Sequence, residues 1–197
     1  MESYLFRNLE AEPDTLVVEG WHHPGSLTRT SGAWIHAAGS AMLEPGDYEI
    51  KPHDQWVWFA VEEGETDLTW QDSVLNLKEE QTCFLPAGEK STFLHCTSQA
   101  RCLWIALEGP LAPMVVRKMG ALLHMPLKQG ALPSQMYLAK QIVQVMVRHS
   151  GTSDATYQLQ HLMYGMLASH WGQPVAMDAM LSHEIAKVVD TLRANKY

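Results

Sequence analysis

The sequence predicts a mainly β chain with C-terminal helices, an α+β arrangement in which an antiparallel β-barrel or sandwich comes first. Up to Leu107, short apolar runs alternate with Gly, Pro and Asp turns, a pattern typical of antiparallel strands. After Gly109-Pro110, apolar residues recur at helical spacing almost to the last residue. Residues 55–61 are apolar on both faces, as expected of a central strand or one wall of a closed barrel.

Ten segments are predicted to be strands, because each is a short apolar or alternating run bounded by turn residues. They are residues 4–9, 15–21, 33–37, 47–51, 55–61, 66–70, 74–77, 82–85, 91–95 and 101–107. Their number and nearly even spacing favour a barrel or sandwich over a sheet in which strands alternate with helices.

Four helices are predicted in the second part: residues 112–122, a longer helix opened by Pro133-Ser134, a third over residues 154–171, and residues 183–197. The third carries an apolar stripe of Leu, Met and further Leu side chains that docks on the barrel or pairs with its copy in a second chain. Two successive amphipathic helices cannot both bury wide stripes on one small barrel, so a homodimer is expected. The predicted interface residues are Leu159, Leu162, Met163 and Met166.

Charge is unevenly distributed along the 197 residues, whose formal net charge is −8. Residues 1–109 carry 18 acidic and 6 basic side chains, whereas the rest of the chain carries 4 acidic and 8 basic ones. Nucleic-acid affinity comes largely from Lys and Arg that displace counterions, so an acidic barrel repels phosphate. This chain alone is therefore not expected to bind DNA well.

The cysteines indicate a reducing compartment. Cys83, Cys96 and Cys102 lie in apolar strand-like runs without CxxC spacing, where a free thiol behaves as a small core residue. The N-terminus lacks the cationic start and apolar stretch of a signal peptide. No run approaches the roughly 18 apolar residues that span a bilayer. We expect a cytoplasmic protein without a membrane partner.

Ten histidines raise the question of a metal site, but their spacing disfavours one. A barrel enzyme of the cupin type uses two histidines one residue apart, because only one parity faces the interior. No His-x-His occurs, adjacent His22 and His23 are expected to point to opposite faces of a strand, and Ser91 stands where the last ligand is expected. Nucleophile-elbow and phosphate-loop motifs are also missing. We expect no catalytic residue, metal or cofactor; a stand-alone cupin enzyme, an isomerase or dioxygenase, is the alternative.

Tryptophan is concentrated in the β-rich part, which holds six of the seven: Trp21, Trp34, Trp56, Trp58, Trp70 and Trp104. A single tryptophan is more often part of the core than of a binding site. An indole ring nevertheless offers a flat apolar face and an N–H donor, and a small barrel has room for one small ligand. We therefore predict a pocket in the barrel, with Trp58 and Trp104 among its walls. If the tryptophans fill the barrel instead, it is a ligand-independent dimerisation scaffold.

Several segments together resemble one family, the N-terminal effector-binding and dimerisation domain of AraC-type transcription regulators. The segments are Ala38-Gly39, Pro45, Tyr48-Glu49-Ile50-Lys51, Glu63-Gly64, Leu85-Pro86-Ala87-Gly88 and the exit strand Leu103 to Pro110. The resemblance implies a cupin-like barrel of jelly-roll type over residues 1–109 and a helical dimerisation region over residues 110–178. It also implies that residues 179–197 begin a DNA-binding domain whose helix-turn-helix units lie outside this chain.

The same resemblance implies a function and a set of ligand contacts. Family contacts fall on Lys51, Phe93, Cys102 and Trp104, where Lys51 replaces a guanidinium and Cys102 replaces a better hydrogen-bonding residue. The implied effector is a small sugar-like or polar molecule, and DNA is reached only through the attached domain. Ligand is expected to shift the arrangement of an N-terminal arm, residues 1–14.

Overall fold

The computed structural model describes residues 5–9, 16–26, 29, 32–51, 53–70, 73–88, 92–118, 129–130 and 133–171, without the side chains of residues 8, 118, 129, 167 and 169–171. The predicted helix over residues 183–197, the domain start at residue 179 and most of the arm over residues 1–14 lie outside the described residues. None of the helices that the described ranges contain is long and apolar enough to cross a membrane.

Eleven strands form within the described residues, and ten of them confirm the ten predicted segments. They are β1 (Phe6–Asn8), β2 (Leu16–Trp21), β3 (Trp34–Leu43), β4 (Gly46–Ile50), β5 (Trp56–Glu63), β6 (Glu65–Trp70), β7 (Ser73–Lys78), β8 (Gln81–Leu85), β9 (Thr92–Cys96), β10 (Ala100–Glu108) and β11 (Gln129–Gly130). Strand β3 continues beyond its predicted end because its small residues make room for a large partner. A Cβ added at Gly39 would lie 2.8 Å from the ring of Trp104, its register partner on β10.

The strands form two antiparallel sheets. One has the order β1-β4-β9-β6-β7, and the other has the order β11-β8-β5-β10-β3-β2. Strands that follow each other in sequence, such as β4 and β5 or β8 and β9, lie in different sheets. This two-sheet arrangement with C-terminal helices confirms the predicted fold class, a cupin-like β-barrel of jelly-roll type.

The two sheets enclose an inner core of apolar side chains. Its largest fully buried members are Tyr48 from the five-stranded sheet and Phe59 and Trp104 from the six-stranded sheet. The three cysteines are free and face this core, as expected of small apolar residues. Strands β5 and β10 contribute only alternate residues to it, because neighbouring side chains point to opposite faces of a sheet.

The opposite face of the six-stranded sheet forms an outer core with three helices: α1 (Ala112–Lys118), α2 (Pro133–Arg148) and α3 (Thr156–Trp171). Trp58 and Ile105 project from the sheet into this core, where they join Ile142 of α2 and Met163 of α3. Since the remaining residues of the same strands line the inner core, β5 and β10 separate the barrel interior from the helices by a single layer.

The stripe of α3 is oriented toward the chain's own core, and the dimer interface predicted on it stays a prediction. Leu159, Met163 and Met166 are buried in the outer core, and Leu162 is partly buried against it. Helix α2 and strand β3 together cover the stripe, so one barrel accommodates both helices after all. These four side chains pack within one chain, and homodimerisation itself stays a prediction.

Candidate functional site

The predicted ligand residues do not converge on one recess. Cys102 and Trp104 share the barrel-facing side of β10, as their spacing predicts. Trp58 lies on the other side of the sheet, in the outer core beneath the helices. Phe93 is 43% exposed on the outer face of β9, and Lys51 is half-buried after β4. The five residues therefore occupy four different environments.

A cleft lies instead beside the connection between β2 and β3, where His22 contacts the turn between α2 and α3. Its volume is about 210 Å³. His22, His23, Pro24 and Arg29 line it from the connection between β2 and β3, and Trp34, His36 and Glu108 line it from the adjoining ends of β3 and β10. It thus combines a cation, a carboxylate, an indole and three imidazoles around a space suited to a small molecule.

A β-bulge places His36 in this cleft. Along the β3–β10 ladder, Ala106 pairs with Ala37 and Leu107 pairs with Ile35, so His36 is the extra residue. Bulges redirect side chains and are common beside functional sites. Here His36 Nδ1 lies 2.8 Å from Oε2 of Glu108.

His22 connects the cleft to the helices. Its side chain is buried, and Nδ1 lies 2.9 Å from the carbonyl oxygen of Thr152, in the turn between α2 and α3. Nε2 lies 3.0 Å from Oγ1 of Thr156, the first residue of α3. Burial lowers the pKa of His22, the hydrogen bond to Thr152 raises it in part, and positive charge on neighbouring side chains lowers it further. The buried ring of His22 therefore connects the cleft with the turn between α2 and α3, and its protonation state determines which hydrogen bonds it can donate to that turn.

Trp34 and Arg29 form two parts of the cleft wall. Trp34 is only 7% exposed, and its Nε1 is buried without a hydrogen-bond partner among the described residues. Its six-membered ring packs on Gly109, where a Cβ would lie 2.5 Å from ring atom Cζ3 and where φ is +111°. Arg29 donates from Nε to the carbonyl oxygen of Pro24 at 2.9 Å, which fixes the near end of the guanidinium.

The described residues contain no group of three or more His, Cys, Asp or Glu side chains arranged to hold a metal ion. In the cleft, His22 directs both ring nitrogens to the α2–α3 turn, and His36 contacts Glu108. The chemistry that this arrangement offers is hydrogen bonding and charge compensation for a small polar ligand.

Sequence reasoning missed this cleft. Strand β2 ends at Trp21, and the two histidines that follow differ in burial, since His22 is buried and His23 is exposed, yet both line the cleft. The adjacent pair was the available signal, since two histidines after a strand end in a Pro-Gly connection fall where loops carry function.

No family model matches the chain, and no curated protein matches it. Its fold is similar to that of several solved structures. A protein from Salmonella typhimurium described as a putative ethanolamine utilization protein matches at 21% identity over 36% of this chain and 55% of that chain, with a TM-score of 0.33. The cupin domain of an XRE-family transcriptional regulator from Enterobacter cloacae matches at 17% identity over 48% and 96%, with a TM-score of 0.37. A mutant oxalate decarboxylase from Bacillus subtilis matches at 15% identity over 56% and 31%, with a TM-score of 0.39. The chain spans about half the length of the Salmonella protein.

Proposed function

We propose that this chain is the ligand-sensing and dimerisation part of an AraC-type transcriptional regulator. In this role it binds a small polar effector, carries out no chemical step, and controls an attached DNA-binding domain in the cytoplasm. The motif order from Ala38 to Pro110 supports the family, and the jelly-roll barrel followed by helices is the fold that the family requires.

The proposal rests on the position of His22, which belongs both to the cleft and to the contact with the helices. This one side chain lines the cleft and also contacts Thr152 and Thr156 at the α2–α3 turn. A ligand that binds better to one arrangement of this turn than to another shifts the population of the helices. A coupling of about 1–3 kcal/mol between the cleft and the helices is enough for a useful switch.

We place the effector in the cleft rather than in the barrel. Tyr48, Phe59 and Trp104 occupy the space between the sheets with the chain's own aromatic rings, which is what the scaffold alternative expects of the barrel. The cleft, in contrast, has about 210 Å³ of space and several polar groups around it. The cleft is partly open to solvent, and a space of this volume accepts a small molecule of about one ring.

The proposed homodimer uses the outer side of α3, because the inner side is already buried. Tyr157 is 86% exposed and Tyr164 is 52% exposed on this helix, and aromatic side chains of this kind are frequent in protein interfaces. Light scattering of the purified chain measures the association directly. Substitution of both tyrosines by serine should then shift a dimer toward monomer.

A thermal-shift screen against monosaccharides, small carboxylic acids and their amides tests effector binding, since a ligand specific to the folded state raises its stability. Amide hydrogen exchange then tests transmission. A compound that stabilises the protein should increase protection over residues 149–156, and it should alter DNA binding by the full-length gene product. Stabilising compounds that leave both exchange in this segment and DNA binding unchanged would contradict the sensor function.

A further inference from the structure

We propose that the ligand of the cleft is a small carboxylate, and that its binding is coupled to uptake of a proton by His22, which tightens the α2–α3 turn. The inference rests on the proposed function for its regulatory meaning, because it names the ligand class of the same cleft. The binding site and the proton linkage themselves are properties of this chain and are tested on it alone.

The donors around the cleft favour an acceptor-rich, planar ligand group. Within the described residues, Arg29 donates only from Nε, to the carbonyl oxygen of Pro24, so its two terminal nitrogens can face a ligand in the cleft. A guanidinium edge matches a carboxylate with two parallel hydrogen bonds.

The charge of the cleft also favours proton uptake together with an anion. When the histidines are neutral, the positive charge of Arg29 and the negative charge of Glu108 cancel, and Glu108 is already paired with His36. A bound carboxylate then leaves one negative charge in excess. Nearby negative charge favours the charged form of imidazole, so a cleft histidine is the group that responds.

The hydrogen-bond pattern identifies His22 as the responding histidine. The carbonyl of Thr152 can only accept, so Nδ1 of His22 carries a proton. Oγ1 of Thr156 lies 2.7 Å from the carbonyl oxygen of Ser153 and 3.0 Å from Nε2 of His22. Since this hydroxyl has one hydrogen, a neutral His22 ring leaves one of the two contacts without a donor.

Protonation of His22 completes the chain of donors. Nδ1–H then donates to Thr152, Nε2–H donates to Oγ1 of Thr156, and the Thr156 hydroxyl donates to Ser153. All three links run from the cleft into the turn that opens α3. Hydrogen bonds to charged groups are stronger than neutral ones, so the protonated ring holds this turn more firmly.

Other charged and titratable groups near His22 influence its protonation equilibrium, which the ligand must shift. His23, Arg29 and His36 face it across the cleft and oppose its protonation, together with the loss of hydration on burial. Glu108 lines the same cleft, and His149 and Asp154 lie on the α2–α3 turn. Without an anion, burial therefore keeps His22 neutral near neutral pH.

Isothermal titration calorimetry with benzoate as the probe and benzamide as its uncharged counterpart tests both parts. Titrations near neutral pH in two buffers of different ionisation enthalpy give the number of protons taken up. We expect benzoate to bind more tightly than benzamide, with uptake of about one proton per ligand. Arg29→Gln should weaken benzoate binding about tenfold or more, whereas Arg101→Gln, whose guanidinium pairs with Glu63 on the barrel, should not.

Two variants at one position separate the proton linkage from a merely structural effect. Thr156→Val removes the hydroxyl but keeps the size of the side chain, and it should abolish much of the proton uptake. Thr156→Ser keeps the hydroxyl and should restore it. His95→Gln, on the other sheet, is the histidine control and should leave the linkage unchanged.

Benzoate that binds no more tightly than benzamide, or equally well to Arg29→Gln, would overturn the carboxylate site. Benzoate binding without proton uptake, or with uptake that Thr156→Val leaves intact, would overturn the role of His22. Either failure differs from failure of the proposed function, because sugars and amides that stabilise the protein and protect residues 149–156 would still support a sensor.

Discussion

His22 and Thr156 are 134 residues apart in the sequence, yet Nε2 of the histidine lies 3.0 Å from the hydroxyl oxygen of the threonine. The histidine belongs to the connection that follows β2, and the threonine is the first residue of α3. One side of this pair faces a cleft lined by charged and aromatic side chains. Through this pair, ligand binding in the cleft can therefore alter the contacts at the start of α3.

Stability should fall on acidification because His22 and His53 are kept neutral in the folded state. Burial is the main cause that lowers the pKa of each below its ordinary value of 6.5. The unfolded chain then binds protons more readily, so the free energy of unfolding decreases as the pH falls through about 6.5 and levels off below the folded pKa values.

Urea denaturation at a series of pH values measures this dependence. His22→Gln should reduce the slope in the acidic range, and His53→Gln should reduce it further. Saturating benzoate should also reduce it, because the ligand favours protonated His22 in the folded state. A slope that is the same in the wild type and in the double variant would contradict the buried neutral histidines.

The close approach of barrel and helix at Gly20 should tolerate no side chain. A Cβ added there would lie 2.4 Å from the carbonyl oxygen of Met146 on α2 and 2.5 Å from its carbonyl carbon, so backbone rather than a flexible side chain must move. Gly20→Ala should cost about 1–3 kcal/mol in free energy of unfolding. Gly130→Ala, where a Cβ meets nothing within 4 Å, is the matched control for chemical denaturation. Equal stabilities of the two variants would contradict this packing.

The apolar stripe of α3 should stabilise the single chain rather than the dimer. Met163 is fully buried in the outer core, so Met163→Ala should lower the free energy of unfolding by about 2–5 kcal/mol. Gln158→Ala, at an exposed position of the same helix, should change it by less than about 0.5 kcal/mol. Urea denaturation at two protein concentrations checks the assignment, because a loss caused by a broken dimer would depend on concentration.

The three thiols should be unreactive in the folded protein. Cys83, Cys96 and Cys102 are free and buried, and burial raises the pKa of each, so little thiolate is present at neutral pH. Ellman's reagent should label none of them before unfolding and all three in denaturant. Rapid labelling of one thiol in the native state would place that cysteine outside the inner core.

The positions of the strands could be predicted from the sequence. Which face of each strand packs against the inner core and which against the outer core could not. Residues 55–61 are apolar at every position because both faces of β5 are buried, one in each core. When every residue of a strand is apolar, alternation of apolar and polar residues does not show which side chains face the barrel interior. The sequence therefore predicts Trp58 in the barrel, whereas the structure places it against the helices. On β9, apolar Phe93 points to solvent, which alternation of apolar and polar residues cannot reveal.

The cleft could not be predicted, because it depends on register and on distant contacts. His36 enters it through a bulge, and a bulge is defined by the pairing of β3 with β10 rather than by local residues. The role of His22 depends on hydrogen-bond partners that lie 130 and 134 residues further along the chain. The stripe of α3 was assigned to a dimer for a related reason, since the area that the sheet offers to two helices is a tertiary property.

The most direct test of the account is the protonation state of His22 in the free and benzoate-bound protein, read from the nitrogen-15 chemical shifts of its ring. In the free protein near neutral pH, we predict a neutral ring with the proton on Nδ1. With benzoate bound, we predict that both nitrogens carry protons, and that amide exchange over residues 149–156 slows. A ring that stays neutral when the cleft is saturated would contradict the claim that His22 transmits occupancy of the cleft to the helices.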